Sequence, residues 1–353
     1  MKLLYGVQGT GNGHISRARM MAHHFSQRGI EVQYLFSGRP PEQYFDMAAF
    51  GNYQVYAGLT FVTDKGRISN LKTVLQAQPV QFIRDLRSLD LSSYDAIITD
   101  FEPLTAWAGR LQNKPVIGIG HQYAFGNAAV PESGVDLRNR LIMRYFAPAK
   151  FRLGLHWDRF NAAIVPPIIN PAEQRQTVAE HVLVYLPFED QAIVSAALQN
   201  ISGQHFIQYA PQLSHAELGN VSQRPTSLHG FKKDLCSAKA VICNAGFELI
   251  SECLHMGIPA LAKPVAGQSE QLGNAAALQQ LKLATVMPEF SQSDIERWLK
   301  AIPAQAPQYY PDVAEAICDW LLSKQWHNSD ALVAQLWQSS GAIRETYPAA
   351  VAG

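Results

Sequence analysis

The sequence has no excess of charge of either sign, because its 29 Lys and Arg residues balance its 29 Asp and Glu residues. A net charge of zero gives no support for a nucleic-acid-binding protein, whose usual signature is a basic surface. Charged residues make up only 16% of the chain and hydrophobic residues 47%, which excludes an intrinsically disordered chain. With 353 residues and this apolar content, the chain is long enough for two globular domains, each with its own core.

Cysteine and long apolar runs are also scarce. The four cysteines are Cys236, Cys243, Cys253 and Cys318. They form no CxxC pair and three of them lie in apolar segments, which favours buried free thiols in a reducing compartment. No run of about 20 apolar residues could span a bilayer, and the apolar run after Lys2 is too short for a secretory signal. We expect a soluble cytoplasmic protein, or one that is peripheral on the inner face of a membrane.

Short apolar runs alternate with helical patterns along the chain. The runs are near-continuous rather than alternating, which is typical of parallel strands covered on both faces. Repeated units of this kind predict a doubly wound α/β fold. Strands are predicted over 3–7, 32–36, 96–99, 116–119, 182–186, 206–209, 240–243 and 259–263. Helices are predicted over 16–28, 104–112, 190–198, 247–256 and 270–281.

A proline-rich segment divides the chain into two similar halves. Three prolines within residues 166–171 forbid a helix and disfavour a central strand, so we interpret this segment as a semi-rigid linker. Beyond about residue 290 the pattern is helical without a strand candidate. That region also contains four tryptophans that could cover the surface of a domain: Trp298, Trp320, Trp326 and Trp337.

A glycine-rich loop follows the first predicted strand and leads into a helix. Gly9, Gly11, Asn12 and Gly13 allow a tight turn and a close approach of backbone to ligand, and the helix that follows presents free N–H groups to an anion. A dinucleotide fingerprint would have a third glycine where His14 stands, and an acidic residue where the second strand ends at Ser37-Gly38. The loop therefore argues against an NAD-dependent enzyme.

His14 is the most informative residue of this loop. An imidazole at the tip of a glycine loop, at the carboxyl end of a central strand, faces a cleft and can act as a general base near neutral pH. The alternative is a histidine that only fills space, but the surrounding glycines favour a functional role.

A second group of polar residues follows the predicted strand 240–243. The turn Asn244-Ala245-Gly246 leads into a helix whose amino end suits a diphosphate. Glu248 and Glu252 share one face of that helix, where a carboxylate could accept hydrogen bonds from a ribose diol. Glu270, Gln271 and Asn274 begin the next helix and suit sugar hydroxyls. On spacing alone, an ordinary strand–helix–strand unit with exposed acids remains an alternative.

With both motifs in view, the sequence resembles the inverting glycosyltransferases that have two facing Rossmann-like domains, the GT-B fold. It is most similar to the lipid II-forming N-acetylglucosaminyltransferases and a bacterial and archaeal branch near them, and more distantly to plant and bacterial UDP-sugar transferases. The resemblance covers most of residues 1–290 and is most specific in 9–19 and 241–276. It implies an acceptor-binding domain over 1–165, the linker over 166–171, a nucleotide-sugar-binding domain over 172–310, and helices over 311–353 that pack back.

The resemblance also implies a role for each motif residue. His14 matches the catalytic base and Asp100 the carboxylate that orients it, while Glu252 matches the ligand of the donor ribose. Phe231 lies in the stretch that contacts the nucleobase. The diphosphate turn and the donor-sugar contacts correspond to Asn244, Ala245, Gly246, Phe247, Glu270, Gln271 and Asn274. Residues on the acceptor side are Glu102, His121 and Gln122.

By this resemblance the chain transfers a hexose or N-acetylhexosamine, with inversion, from a nucleotide-sugar to an acceptor hydroxyl. Uridine is the expected base, no metal or cofactor is expected, and the acceptor is a glycan or a lipid-linked compound of the cell envelope. The chain departs from the relatives at Glu248 and Leu249, where they usually have Ser, Thr or Asn. A carboxylate so near a diphosphate is expected to be repulsive unless it points away.

A basic stretch over 137–152 interleaves arginines and lysine with aromatic and aliphatic residues. Such a segment can lie on an anionic membrane, but a buried helix with a solvated basic edge is the favoured interpretation of this pattern. Two other functions fit the two-domain fold: a nucleotide-sugar epimerase, which needs no acceptor, and a non-catalytic partner subunit that only binds the nucleotide-sugar.

Overall fold

The computed structural model describes residues 1–59, 63–64, 67–68, 78–132 and 143–341. The two short pieces, 63–64 and 67–68, form a two-stranded antiparallel hairpin and are described by their backbone alone.

The first half of the chain forms a seven-stranded parallel sheet in the order β3-β2-β1-β6-β7-β8-β9. The strands up to residue 165, including those of the hairpin, are β1 (Lys2–Gln8), β2 (Glu31–Ser37), β3 (Tyr53–Tyr56), β4 (Thr63–Asp64), β5 (Arg67–Ile68), β6 (Ala96–Asp100), β7 (Val116–Gly120), β8 (Phe151–Leu155) and β9 (Ile164–Val165). Central strands such as β6 and β7 are buried along their whole length, as expected for a sheet covered on both faces.

The second half forms another seven-stranded sheet in the order β12-β13-β11-β10-β14-β15-β16, parallel except for the edge pair β12 and β13. Its strands are β10 (His181–Tyr185), β11 (His205–Tyr209), β12 (Ala216–Leu218), β13 (Val221–Arg224), β14 (Ala240–Asn244), β15 (Ala260–Lys263) and β16 (Thr285–Val286). The two sheets confirm the predicted α/β fold of two doubly wound halves.

Helices connect the strands and cover the sheets. The α-helices are α1 (Asn12–Gln27), α2 (Pro79–Ser88), α3 (Pro103–Leu111), α4 (Gln191–Gln199), α5 (Leu228–Ser237), α6 (Phe247–Met256), α7 (Ser269–Leu281), α8 (Gln292–Lys300), α9 (Val313–Ser323) and α10 (Asp330–Gln338). Short 3-10 helices cover Pro41–Gln43, Ala48–Phe50 and His121–Ala124. No helix in the described ranges is long and apolar enough to cross a membrane.

The carboxyl-terminal helices pack back onto the first half, as expected. Arg28, just beyond α1, forms ion pairs with Glu315 and Asp319 of α9. The indole Nε1 of Trp337 in α10 donates to the Ile164 carbonyl at 2.7 Å. The proline-rich segment between the sheets is buried, with Ile168 and Ile169 in the core. The connection is therefore packed into the molecule rather than exposed to solvent.

Candidate active site

His14 and Asp100 meet at the carboxyl edge of the first sheet. The neighbouring parallel strands β1 and β6 end at this edge, and the glycine loop brings His14 of α1 to within 2.8 Å of Asp100, measured from Nδ1 to Oδ1. If Nδ1 donates to the carboxylate, Nε2 keeps its lone pair. The Gln122 amide nitrogen, which can donate, lies 3.4 Å from Nε2 and supports that tautomer, whereas Arg17 Nη2, which can only donate, lies 3.1 Å from Nδ1. A neutral imidazole held in this way can accept a proton at Nε2.

Arg17 lies beneath this pair and is fully buried. Its Nε and Nη2 donate to the two oxygens of Asp100, each at 2.7 Å. Burial alone would raise the pKa of Asp100, but the Arg17 guanidinium and His14 outweigh it and hold that pKa below its usual value. Arg17 was not among the predicted site residues, although its spacing of three from His14 places both side chains on one helical face.

Glu248 receives the remaining arm of Arg17, whose Nη1 donates to its Oε1. The ion pair joins α1 of the first half to the first turn of α6 in the second. Burial raises the pKa of Glu248 to about 8, and the charge of Arg17 only partly offsets this rise. Repulsion was expected between the Glu248 carboxylate and a diphosphate unless the side chain points away. Arg17, a buried arginine of the opposite half, holds this carboxylate against the first half.

The turn from β14 into α6 presents the amino end of a helix. Gly246 is the N-cap residue and no side chain caps the free N–H groups of the first turn, so they remain available to an anion. Ala245 N donates to the Lys263 carbonyl at 2.9 Å. Behind the turn, Glu189 accepts from the Asn244 amide at 3.1 Å and from Lys263 Nζ at 2.7 Å. The Glu189–Lys263 ion pair was not predicted from the sequence.

Phe247 and Asn274 of the second half contact His121 of the first. The rings of Phe247 and His121 are stacked, with centroids 4.0 Å apart and planes 5° apart. Asn274 Oδ1 lies 2.6 Å from His121 Nε2, and its Nδ2 donates to the Ala245 carbonyl at 2.9 Å. Burial lowers the pKa of His121. His121, predicted on the acceptor side, is thus part of the contact between the halves and touches two predicted donor residues.

Gln122 and Glu270 also meet across the halves. The Gln122 amide donates to Glu270 Oε2 at 2.8 Å, which places the predicted sugar-contacting carboxylate one side chain away from His14. Gln271 behaves differently, because its Oε1 accepts from the Val265 N–H at 3.0 Å. Its side chain is therefore occupied in holding a loop of its own half.

Glu252 and Phe231 lie farther along the second half. The Glu252 carboxylate is 2.7 Å from Lys232 Nζ, which also binds Glu173 at 2.8 Å. Lys232 follows Phe231 on α5, so the predicted ribose and nucleobase residues are held close to each other by this lysine. The Phe231 ring lies between two tyrosines, Tyr185 at 5.2 Å and Tyr209 at 5.3 Å between centroids.

Glu102 does not join the other predicted residues. It is fully buried and caps α3, where its carboxylate accepts from Leu104 N at 2.8 Å and Thr105 N at 2.7 Å. It also accepts from the Ser37 hydroxyl at 2.8 Å. Both carboxylate oxygens are thus engaged in the fold of the first half, and burial raises the pKa of this group.

The glycine loop lies tightly against its neighbours. A Cβ on Gly9 would come within 2.2 Å of the Tyr44 hydroxyl, and one on Gly13 within 2.8 Å of Glu248 Cγ. Gly11 is the N-cap residue of α1. Gly13 is therefore a point at which the first half closely approaches the first turn of α6 in the second.

Comparison with known proteins identifies the family. A family model described as glycosyl transferase family 1 matches residues 1–303. The chain belongs to this family. A search of curated protein sequences finds no match to this glycosyltransferase.

Solved glycosyltransferases share its fold at low sequence identity. The glycotransferase of kitacinnamycin is 14% identical, with a TM-score of 0.60 over 96% of this chain and 98% of that one. MurG of Acinetobacter baumannii is 15% identical, with a TM-score of 0.52 over 96% and 99%. The spinosyn rhamnosyltransferase SpnG in complex with thymidine diphosphate is 14% identical, with a TM-score of 0.58 over 96% and 100%. The glycosyltransferase therefore has the GT-B architecture.

The basic stretch of this glycosyltransferase lies partly outside the described residues, which omit 133–142. In the remainder, the Phe146 ring stacks on Phe101 at 5.1 Å and the Phe151 ring contacts Trp326 at 5.8 Å. These two aromatic side chains pack against the protein itself. Among the described residues there is no group of three or more His, Cys, Asp or Glu side chains suited to a metal ion.

Proposed function

We propose that this glycosyltransferase moves a hexose or N-acetylhexosamine from a nucleoside diphosphate sugar to an acceptor hydroxyl with inversion, and that His14 is the base. The observation that carries the proposal is the 2.8 Å contact of His14 Nδ1 with the buried Asp100; in the proposal Nδ1 donates to this carboxylate and Nε2 is the basic atom. The Glu270 carboxylate, proposed to contact the donor sugar, lies one side chain away through Gln122.

In the proposed reaction, the acceptor oxygen attacks the anomeric carbon from the face opposite the diphosphate. A new C–O bond forms while the bond from the anomeric carbon to the diphosphate oxygen breaks. His14 Nε2 takes the hydroxyl proton, and Asp100 stabilises the resulting imidazolium. The nucleoside diphosphate leaves with the bonding electrons.

The leaving diphosphate is stabilised, in this proposal, by the amino end of α6 at Gly246 and Phe247, which needs no metal ion. Asn244 is buried behind the turn, and the Asn274 amide holds the Ala245 carbonyl, so both keep the turn in shape. We propose no cofactor, and an acceptor that is a glycan or a lipid-linked compound. Uridine is the proposed base, with thymidine as the rival because thymidine diphosphate is bound by the structurally similar SpnG.

The first test is whether the protein binds a donor nucleotide at all. A thermal-shift screen against UDP, dTDP, GDP, CDP and NAD should identify one stabilising nucleoside diphosphate. A ligand at about 100 times its Kd adds roughly 2.7 kcal/mol to the free energy of unfolding, which raises Tm by a few degrees. If no nucleotide shifts Tm, the donor proposal fails, and so does the alternative of a partner subunit that binds the nucleotide-sugar.

The second test addresses the base. We expect His14→Ala to lower kcat by about 10²–10⁴ while leaving donor affinity unchanged, measured as nucleotide release with the matching sugar nucleotide. His23→Ala is the matched control, because His23 is an exposed histidine of the same helix. Wild-type turnover in His14→Ala would refute the assignment. Consumption of donor without any acceptor would instead indicate an epimerase or a hydrolase.

A further inference from the structure

Arg39 is a cation of the cleft to which the proposed reaction assigns no task. It follows β2 and Gly38, whose φ of +103° turns the chain towards the glycine loop. Its Nη1 donates to Asn12 Oδ1 at 3.0 Å, and its guanidinium carbon lies 4.5 Å from the centroid of the Tyr44 ring. Arg39 is thereby fixed beside the first residue of α1.

Two nitrogens of this guanidinium are left without a partner. Nε and Nη2 of Arg39 are shielded from solvent and make no hydrogen bond, and no carboxylate in the described part of the chain pairs with them. Burial accordingly lowers the pKa of Arg39, with only a partial offset from the hydroxyls of Tyr44 and Tyr185. A shielded charge is costly unless an opposite charge accompanies it. Two free N–H donors of one guanidinium match two oxygens of an oxyanion.

The surroundings of Arg39 also favour an anion. The first turn of the 16-residue helix α1 contains no acidic residue, and no side chain caps its N–H groups. Asn12, which accepts from Arg39, donates through Nδ2 to the Tyr185 hydroxyl of the second half at 3.1 Å. The Asn12 amide is therefore held in place at both ends, its oxygen by Arg39 and its nitrogen by Tyr185.

We propose that Arg39, together with the amino end of α1, binds a phosphate-type oxyanion. Asn12 and His14 are two residues apart, about 3 Å along the helix axis, so the bound group lies at the same end of α1 as the proposed base. Two substrates could supply it: the diphosphate of the donor, or an acidic group carried by the acceptor. Phosphate binding at Arg39 does not depend on the catalytic proposal and can be measured without turnover.

The probe is inorganic phosphate, titrated calorimetrically at constant ionic strength against a chloride blank. We expect Arg39→Gln to weaken phosphate binding at least tenfold, because a charge-assisted pair of hydrogen bonds is lost. Arg87→Gln removes the same charge from an exposed position on α2 and should change the affinity less than twofold. Arg39→Gln should stay folded with a Tm close to that of the wild type, because loss of the Asn12 hydrogen bond and of the Tyr44 contact is offset by removal of a shielded charge that has no ionic partner.

A second variant leaves Arg39 in place. Asn12→Asp puts a carboxylate against Nη1, where it competes with the phosphate, so it should weaken binding to a similar degree. The proposal is overturned if wild-type protein binds no phosphate, or if both variants bind it with wild-type affinity. Should Arg39→Gln fail to fold, Asn12→Asp alone decides between these outcomes.

The phosphate titration, repeated with saturating UDP or dTDP, whichever binds, identifies which substrate supplies the anion. Competition between nucleotide and phosphate, together with weaker nucleotide binding by Arg39→Gln, assigns the site to the donor diphosphate. Simultaneous binding assigns it to an acidic group of the acceptor. If neither nucleotide binds, the proposed donor chemistry fails while the phosphate result at Arg39 still stands or falls on its own.

Discussion

Glu248 is subject to two opposing electrostatic effects. Removal from water favours its neutral form, whereas the ion pair with Arg17 favours its charged form. The first effect is larger, and the pKa of Glu248 therefore rises to about 8. Arg17 is at the same time bound to both oxygens of Asp100. The protonation of one carboxyl group in the second half therefore changes the charge next to the proposed catalytic pair in the first.

Replacing Glu248 by Gln should change how stability depends on pH. A carboxyl group whose pKa is raised by folding stabilises the protein fully below its unfolded pKa, near 4.5, and this contribution is lost as pH rises through about 8. The amide of Glu248→Gln does not ionise and does not cause this loss. The free energy of unfolding of the variant should therefore rise, relative to that of the wild type, by about 2–5 kcal/mol between pH 5 and pH 9. Denaturant unfolding at several pH values measures the difference.

The matched control for this experiment is Glu289→Gln, which removes an exposed carboxylate from the same half. Its curve of unfolding free energy against pH should run parallel to that of the wild type. If the Glu248→Gln curve is also parallel, Glu248 ionises normally in the folded protein and the interpretation of its burial is wrong.

Among single residues, the sequence predicts the site residues whose neighbours follow from the fold. His14 and Asp100 follow adjacent strands, so their meeting is a consequence of parallel topology. Arg17 and Lys232 were missed because their partners, Glu248 and Glu252, are respectively 231 and 20 residues away, and one sequence contains no signal for such pairs. Glu102 was placed on the acceptor side from its position after a strand, whereas its carboxylate is occupied as a helix cap.

Among elements, the most deeply buried strands were predicted well, whereas the edge strands and two strands beside them, β8 and β13, were missed. β1, β6, β7 and β14 are continuous apolar runs and were found to within one or two residues at each end. β3 has no fully buried residue and β12 only three residues in all, so neither has a strong hydrophobic pattern. Helix α6 was predicted with both ends as observed, because Gly246 and Gly257 mark its limits.

The approach of α1 to α6 depends on the absence of a side chain at Gly13. An added Cβ would lie 2.8 Å from Glu248 Cγ, a clash inside a buried contact. Alanine at a helical position usually stabilises by about 0.5–1 kcal/mol over glycine, whereas overpacking costs about 1–3 kcal/mol. We therefore expect Gly13→Ala to lower the free energy of unfolding, measured by denaturant titration.

The double variant Gly13→Ala with Glu248→Ala supplies the control, because it removes the Cγ atom that the new methyl group would strike. In that background the same glycine substitution should be neutral or stabilising. An equal loss of stability in both backgrounds would mean that the cost arises within α1 and not from its contact with α6.

In the whole molecule, one apolar cluster spans both halves, and each half also has a cluster of its own. A single cluster of buried side chains includes Tyr5 and Leu153 of the first sheet, Phe247 at the junction, and Leu183 of the second sheet. Helix α9 adds Ile317 to the same cluster, so a helix that follows the second sheet in the chain returns to the first half. A molecule connected in this way should unfold as one unit, although its sequence divides into two similar halves.

Calorimetry tests this expectation, with one transition predicted for the wild type and two for Phe247→Ala. Phe247 is buried against His121 and Trp157, with ring centroids 4.0 and 5.1 Å away, and its removal costs about 3–5 kcal/mol of packing at the junction. Leu111→Ala is the control, because Leu111 is 62% exposed. Separate transitions in the wild type would show that the halves are not coupled. A single transition at unchanged Tm in Phe247→Ala would show that the coupling lies elsewhere, in the helices that return to the first half.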